Sequence, residues 1–129
     1  MKPRRKGKII PNGVVLETHE NATVVYFTEL GFDIDLIVPS RTPGQKSADF
    51  MMDGIAWEMK CTMGKSQTSI DHMFQKAVKQ SGNVIIDLRN AHADEEKSLA
   101  VINKRYKQMR TCRRLKIITK TGELLEFNK

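Results

Sequence analysis

Asp49, Glu58 and Lys60 interrupt two apolar runs, Ala48–Met52 and Ile55–Cys61, that otherwise read as buried strands. Charged side chains are rarely buried unless they are paired or coordinate a metal, so their presence within such runs indicates a specific role. Carboxylates are the usual protein ligands of Mg²⁺, and an ammonium group can stabilise negative charge that develops during phosphoryl chemistry. Two acids and one amine therefore point to metal-assisted hydrolysis of a phosphodiester, provided that the fold brings the three groups together.

A predicted hairpin would bring them together. Asp53-Gly54 separates the two runs, and an Asp-Gly loop between such runs is among the strongest hairpin signals. A two-residue loop places Asp49 opposite Glu58, with Cβ atoms about 5 Å apart, and alternation puts Lys60 on the same side of the sheet. The opposite side would carry the apolar residues Phe50, Trp57 and Met59.

Two carboxylates at that distance repel each other unless a proton or a cation lies between them. We therefore predict a site for Mg²⁺ or Mn²⁺ with Asp49 and Glu58 as ligands, completed by water and substrate phosphate. Lys60 would lower the pKa of an attacking water or stabilise charge on the phosphoryl group. The alternative is a cross-strand surface salt bridge, in which Asp49 pairs with Lys60 and Glu58 pairs with another cation.

The remaining pattern predicts a mixed α/β domain, a sheet with helices against it. Residues 16–30 fit a strand through the β-forming run 24–27 and a helix through Leu30-Gly31, which resembles a helix end with a glycine cap, and we predict a helix. Helices are also expected around 70–80 and 99–109, from apolar stripes at helical spacing. Strands are expected at 32–38 and 84–88, and a closing hairpin at 115–119 and 124–127. Thr68 or Ser69 is the expected N-cap of the middle helix.

Length and composition fit a single soluble domain with a polyanionic partner. The chain has 129 residues and a formal charge of +7, which favours nucleic acid, although a solvated basic surface would give the same charge. We divide it into a basic N-terminal arm, residues 1–13, and a domain, residues 14–129; the arm could equally be a flexible tail. Two cysteines are too few for a disulfide framework, and no apolar run is long enough to cross a bilayer.

Several polar residues are candidates for contacts with substrate phosphates. Lys65, Ser66 and Thr68 lie between a predicted strand and the N-terminus of a predicted helix, where the helix dipole favours anions. Gln80 closes that helix and could reach the acidic pair. Arg89 follows the next strand and could hold a phosphate, or could form a salt bridge with a nearby acid. Ordinary loop polarity, helix capping and solvation are the alternatives for the others.

Asp49 followed by Glu58-Met59-Lys60 resembles the motif of the PD-(D/E)xK nuclease superfamily. In order, ETHENATVVYFTELGFDIDLI, SADFMMDGIAWEMKCTMGKSQTSID and FQKAVKQSGNVIIDLRN resemble the C-terminal nuclease domain of CdiA contact-dependent growth inhibition toxins. Related domains occur on phage and mobile-element proteins. The resemblance covers roughly residues 17–90. One departure is Ala48, where the superfamily usually has proline; that position shapes the strand and supplies no ligand.

The resemblance implies a mixed sheet flanked by helices, a divalent metal, and a further acid on the first helix, for which Glu17 is at the matching position. It also implies that the substrate is tRNA and that a cognate immunity protein blocks the activity. Such a domain would be secreted or presented at the cell surface and would act in the cytoplasm of a target cell, whereas a stand-alone or mobile-element relative would be cytoplasmic.

Two other functions fit the same residues. The metal site does not distinguish ribose from deoxyribose, so the chain could be a DNA endonuclease of the same superfamily. A basic nucleic-acid-binding module with structural acids is the non-enzymatic alternative. The sequence has no signature that identifies the immunity partner or the oligomeric state.

Overall fold

The computed structural model describes residues 5–44 and 47–129 as a mixed α/β arrangement, which confirms the predicted fold class. The elements follow in the order β1 (Ile9–Ile10), α1 (Thr18–Glu29), β2 (Ile34–Leu36), β3 (Phe50–Met52), β4 (Ile55–Cys61), α2 (Gln67–Gln80), β5 (Asn83–Asp87), α3 (Glu95–Gln108), β6 (Arg114–Ile118) and β7 (Leu124–Asn128). Each predicted helix and strand is present; β2 is shorter than the predicted strand at 32–38.

The seven strands form one sheet whose spatial order follows the chain order. Three pairs of consecutive strands are antiparallel: β2 with β3, β3 with β4, and β6 with β7. The central strands β4, β5 and β6 pair in parallel, and α2 and α3 are the crossovers between them. The parallel centre explains why β5 is apolar and buried along most of its length.

Each face of the sheet has its own core. Val24 and Phe27 of α1 pack with Phe50, Trp57 and Ile85, among others. Phe74 of α2 and Ile102 of α3 pack with Val84 and Ile86 on the other face. Because Val84, Ile85 and Ile86 alternate along one strand, the two cores lie on opposite sides of the sheet. We refer to the α1 face and the α2–α3 face below.

The ends of the helices follow from local hydrogen bonds. The α2 N-cap is Ser66, whose Oγ accepts the Ser69 N–H at 3.2 Å, so the predicted N-cap at Thr68 or Ser69 was wrong by two or three residues. Asp94 caps α3 by accepting the Lys97 N–H at 2.9 Å. None of the helices in the described ranges is long and apolar enough to cross a membrane.

Part of the predicted basic arm belongs to the sheet. Strand β1 pairs in parallel with β2, and the Ile34 N–H donates to the Lys8 carbonyl at 2.8 Å. Gly7 lies so close to the chain that an added Cβ would be 1.8 Å from the Phe32 carbonyl oxygen. The first described residues are therefore docked on the domain, while residues 1–4 of the arm lie outside the described ranges.

Candidate metal and nuclease site

The β3–β4 hairpin has the register that the Asp-Gly signal predicts. Phe50 pairs with Trp57 and Met52 with Ile55 across the turn. Asp53 and Gly54 have φ angles of 54° and 73°, the left-handed conformation of a two-residue hairpin turn. The paired part of the ladder ends at Phe50 and Trp57, and Asp49 and Glu58 are the residues that adjoin this pair on the two strands.

Asp49 takes part in the ladder through both its backbone and its side chain. Its N–H donates to the Trp57 carbonyl at 2.9 Å, and its Oδ2 accepts the Met59 N–H at 2.8 Å. The Asp49 carboxylate thus accepts the Met59 N–H of β4 at a position just before the first residue of β3. This bond fixes Asp49 against β4 and next to Glu58.

Glu58 is buried in contact with Asp49 and Lys60. It is 4% exposed, and the Asp49 carboxyl group lies beside it, close enough to perturb its pKa. Burial first, and then the Asp49 carboxyl group, raise the pKa of Glu58 to about 7, against an opposing effect of Lys60. The Lys60 Nζ is 3.1 Å from Glu58 Oε2. The ion pair that forms is therefore Lys60 with Glu58, and not Lys60 with Asp49.

A cavity of about 310 Å³ opens in front of the two acids. Asp49 and Glu58 form part of its wall, together with Glu20 of α1 and Gln80 of α2. Residues of the segment before α1 and of the loop before β3 complete the lining: Val14, Val15, Leu16, Ile37, Pro39, Ser47 and Ala48. The site thus lies at the beginning of β3 and beside the middle of β4, between the beginning of α1 and the end of α2.

Glu17 is not among the residues that line this cavity. It is the N-cap residue of α1, and its N–H donates to Glu20 Oε1 at 3.1 Å. Glu20 was not identified from the sequence, although a signal exists. It lies four residues before Val24 and seven before Phe27, both fully buried, and therefore on the helical stripe that faces the sheet.

The acidic pair has the chemistry of a site for a hard divalent cation. The half-buried carboxyl group of Asp49 lies next to the buried one of Glu58 and raises its pKa, and a cation between the two groups would relieve their repulsion. In the described part of the chain, no group of three or more His, Cys, Asp or Glu side chains is close enough to hold a metal ion. Asp49 and Glu58 would thus be the direct protein ligands, which is within the usual range for Mg²⁺.

The other candidate residues are divided between two places. Gln80 lies at the acidic cavity, whereas Lys65, Ser66 and Thr68 are in the loop before α2 and its first turn and do not line this cavity. Arg89 forms a salt bridge with Asp87, which was one of its two predicted roles. Its Nη2 donates to Asp87 Oδ2 at 2.7 Å and to the Ala22 carbonyl at 3.1 Å, and its guanidinium lies over the Tyr26 ring.

Comparisons with known proteins give one family match and one match of fold. Residues 46–124 match the family model described as the contact-dependent growth inhibition CdiA C-terminal domain. A solved structure, described as a CdiA-CT/CdiI toxin and immunity complex from Burkholderia pseudomallei, has a TM-score of 0.67 to this chain. The match covers 99% of this chain and 96% of that chain at 19% identity, so the likeness is one of fold. No curated protein matches the sequence.

Proposed function

The chain belongs to the CdiA C-terminal domain family of contact-dependent growth inhibition, and from this premise we propose that it is a metal-dependent nuclease toxin domain. Its reaction would be hydrolysis of phosphodiester bonds in tRNA, with a PD-(D/E)xK type of site. The observation that carries the proposal is the buried Glu58 carboxyl group next to that of Asp49, with Lys60 beside it, at the wall of an open cavity.

The acids would hold Mg²⁺ or Mn²⁺. When bound, such an ion supplies Lewis-acid charge for a phosphoryl oxygen and for the attacking water. Glu58 must be ionised to act as a ligand, and a pKa of about 7 allows it to lose its proton near neutral pH. Asp49 is oriented for this role because one of its oxygens is held by the Met59 N–H.

Lys60 would position the nucleophile and stabilise negative charge on the phosphoryl group. Its Nζ is 3.1 Å from the Glu58 carboxylate, so a phosphate bound at the acidic pair would also be close to this ammonium group. Its side chain is 35% exposed, which leaves it accessible to a substrate. The ion pair with Glu58 thus orients Lys60 towards the reacting groups.

Glu20 and Gln80 would complete the site as positioning residues. Both line the cavity from helices that converge on the acidic pair. Glu20 has one oxygen bound to the Glu17 N–H, which orients the carboxyl group and leaves the other oxygen for water. We assign to Glu20 the role that the family resemblance suggested for Glu17, because only Glu20 contributes to the cavity wall.

A tRNA substrate is supported by charge and by the resemblance. The net charge of +7 favours a polyanion over a neutral or acidic substrate. Lys65, Ser66 and Thr68 at the start of α2 would meet phosphates of the same substrate, since N-terminal helix N–H groups and a basic side chain favour anions.

An inhibitory partner and a target-cell site of action are also part of the proposal. The solved structure of similar fold is a complex of a toxin with its immunity protein, which supports a cognate immunity protein for this chain. A CdiA C-terminal domain would be delivered to a target cell and would meet tRNA in its cytoplasm. Co-expression with the cognate immunity protein would then remove toxicity.

The test is incubation of the purified chain with total tRNA and, separately, with plasmid DNA, in Mg²⁺ or in EDTA. We expect tRNA to be cleaved in Mg²⁺ and to stay intact in EDTA. Cleavage of plasmid alone would reassign the chain as a DNA endonuclease. Binding of either nucleic acid without cleavage in Mg²⁺ or Mn²⁺ would contradict the enzymatic proposal.

A further inference from the structure

A second cavity, of about 360 Å³, lies beside the acidic pair on the α2–α3 face. Its wall is formed by Lys60 of β4 and by one side of α2: Ser69, His72, Met73 and Lys76. We call these five residues the α2 groove. Lys60 belongs to both regions, because its Nζ contacts Glu58 at the acidic cavity and the side chain lines the groove.

The α2 groove leads away from the acidic pair along the helix. Ser69, His72, Met73 and Lys76 follow helical spacing, and Gln80, four residues after Lys76, lines the acidic cavity. At 1.5 Å per residue the stretch from Ser69 to Gln80 spans about 16 Å. One face of α2 therefore connects the two cavities.

The charge of the α2 groove is positive. Lys60 and Lys76 contribute ammonium groups, and no acidic residue is among those that line the cavity. The ammonium group of Lys60 is paired with Glu58, whereas that of Lys76 forms no ion pair within the described part of the chain. The nearest acid on the helix, Asp71, is occupied elsewhere, since Arg105 donates to both of its oxygens at 2.9 Å. His72 and Lys76 are exposed and can donate hydrogen bonds to an anion in the groove, whereas the Ser69 hydroxyl already donates to the Ser66 carbonyl at 2.9 Å.

We propose that the α2 groove binds the phosphate backbone of the substrate strand next to the bond that is cut. This inference rests on the proposed function, since it takes the acidic pair as the place of cleavage. Basic side chains along a helix face favour successive phosphates and do not read bases, so the contacts would be independent of sequence. The groove would fix the strand so that the scissile phosphate reaches Asp49 and Glu58.

Lys76 is the residue to change, because it is exposed and has no part in the acidic pair. Binding of a labelled short single-stranded RNA would be measured in EDTA over a series of salt concentrations, for wild type and Lys76→Ala. One lost phosphate contact lowers the slope of log affinity against log salt by about 0.7, which is about five-fold in affinity at 0.1 M salt. Lys104→Ala is the matched control, because Lys104 is an exposed residue of α3 outside the groove and its loss changes net charge equally.

The expected result is a smaller slope and weaker binding for Lys76→Ala, partial recovery in Lys76→Arg, and wild-type behaviour for Lys104→Ala. In the cleavage assay Lys76→Ala should raise KM with little change in kcat. Equal slopes for wild type and Lys76→Ala, or equal losses in both Ala variants, would overturn the proposed groove.

The two proposals fail separately. If no nucleic acid is cleaved but the binding difference holds, the groove stands as a binding surface and the nuclease assignment falls. If tRNA is cleaved and Lys76→Ala is unaffected in both slope and KM, the nuclease stands and the strand follows another path.

Discussion

Glu58 is the residue on which the chemistry depends, and its environment is unusual for a carboxylate. On the β5 side its neighbour in the sheet is apolar, since Glu58 pairs with Val84, whereas the β3 side carries Asp49. Burial and the nearby Asp49 outweigh the attraction of Lys60, so the pKa rises to about 7 from an ordinary 4.5. The residue therefore changes charge in the physiological range.

This shift predicts how stability depends on pH without metal. A raised pKa means that the folded state holds the Glu58 proton more tightly than the unfolded state does. The raised pKa contributes on the order of 3 kcal/mol to the free energy of unfolding. This contribution is complete below about pH 4.5 and is lost as the pH rises to about 7. Urea denaturation in EDTA should show this decline in wild type and not in Glu58→Gln. If the free energy of unfolding depends on pH in the same way in both proteins, the raised pKa of Glu58 is contradicted.

The same titration governs metal affinity. Below pH 7 the ion must displace the Glu58 proton, so the affinity for Mg²⁺ should rise about ten-fold per pH unit and level off above pH 7. The upward shift of the unfolding midpoint on adding Mg²⁺ should accordingly be larger at pH 8 than at pH 6. A shift that does not depend on pH would exclude Glu58 as a ligand.

Glu58→Gln and Lys60→Ala should stay folded and lose at least about 100-fold in kcat, since each removes one charge that acts on the reacting phosphate. The control substitutions are Glu123→Gln and Lys104→Ala, at exposed positions remote from both cavities. Circular dichroism checks folding and single-turnover cleavage of tRNA checks the rate. A near wild-type rate in either site variant would remove that residue from the mechanism.

Glu20 and Glu17 provide a sharper comparison because both lie at the start of α1. Glu20→Gln should lower kcat by about 10-fold or more, and Glu17→Gln should have little effect, because only Glu20 lines the cavity. Thermal unfolding of both variants controls for a loss of helix capping. The opposite order of effects on kcat would restore Glu17 to the role that the resemblance suggested.

At the scale of elements, the β3–β4 hairpin positions the acids. Its turn, its register and the burial of Phe50 and Trp57 could be predicted from the sequence, because the Asp-Gly signal and the alternation are local. The choice of Glu20 over Glu17 could not, since it depends on how α1 rotates against the sheet. Strand β1 was also missed, because two residues that pair with a distant strand have no local signal.

The turn offers a test of how the element supports the site. Gly54→Ala should lower the free energy of unfolding by about 1 kcal/mol, because an L-residue at φ 73° is strained although the space around it is open. Gly122→Ala, in the β6–β7 turn with φ 89° and equally open surroundings, is the matched control for stability. Cleavage at a temperature where both variants are folded should fall more in Gly54→Ala, since only that turn holds Asp49 opposite Glu58.

At the scale of the whole molecule, the sheet separates two cores and with them the two thiols. Cys61 packs with the α1 core, whereas Cys112 is buried in the α2–α3 core, and both are free. Their positions on opposite faces of the sheet thus exclude a disulfide between them. Burial raises the pKa of each thiol to about 11.

Stability should therefore be independent of redox conditions. We expect the same unfolding midpoint with and without reductant, and slow reaction of both thiols with an aromatic disulfide at pH 8, because little thiolate is present. Addition of urea to unfold the chain should release two rapidly reacting thiols. A reductant-dependent midpoint would indicate a covalent link that this arrangement does not allow.

The acid pair is formed within a single hairpin, by residues nine positions apart in the chain. Bringing them together requires the closure of one short loop, so the alignment of the ligands is decided locally and at small entropic cost. The helices then help to bury Glu58 and line the two cavities. Sequence drift in those outer parts can thus alter what is recognised while the reacting centre keeps its shape.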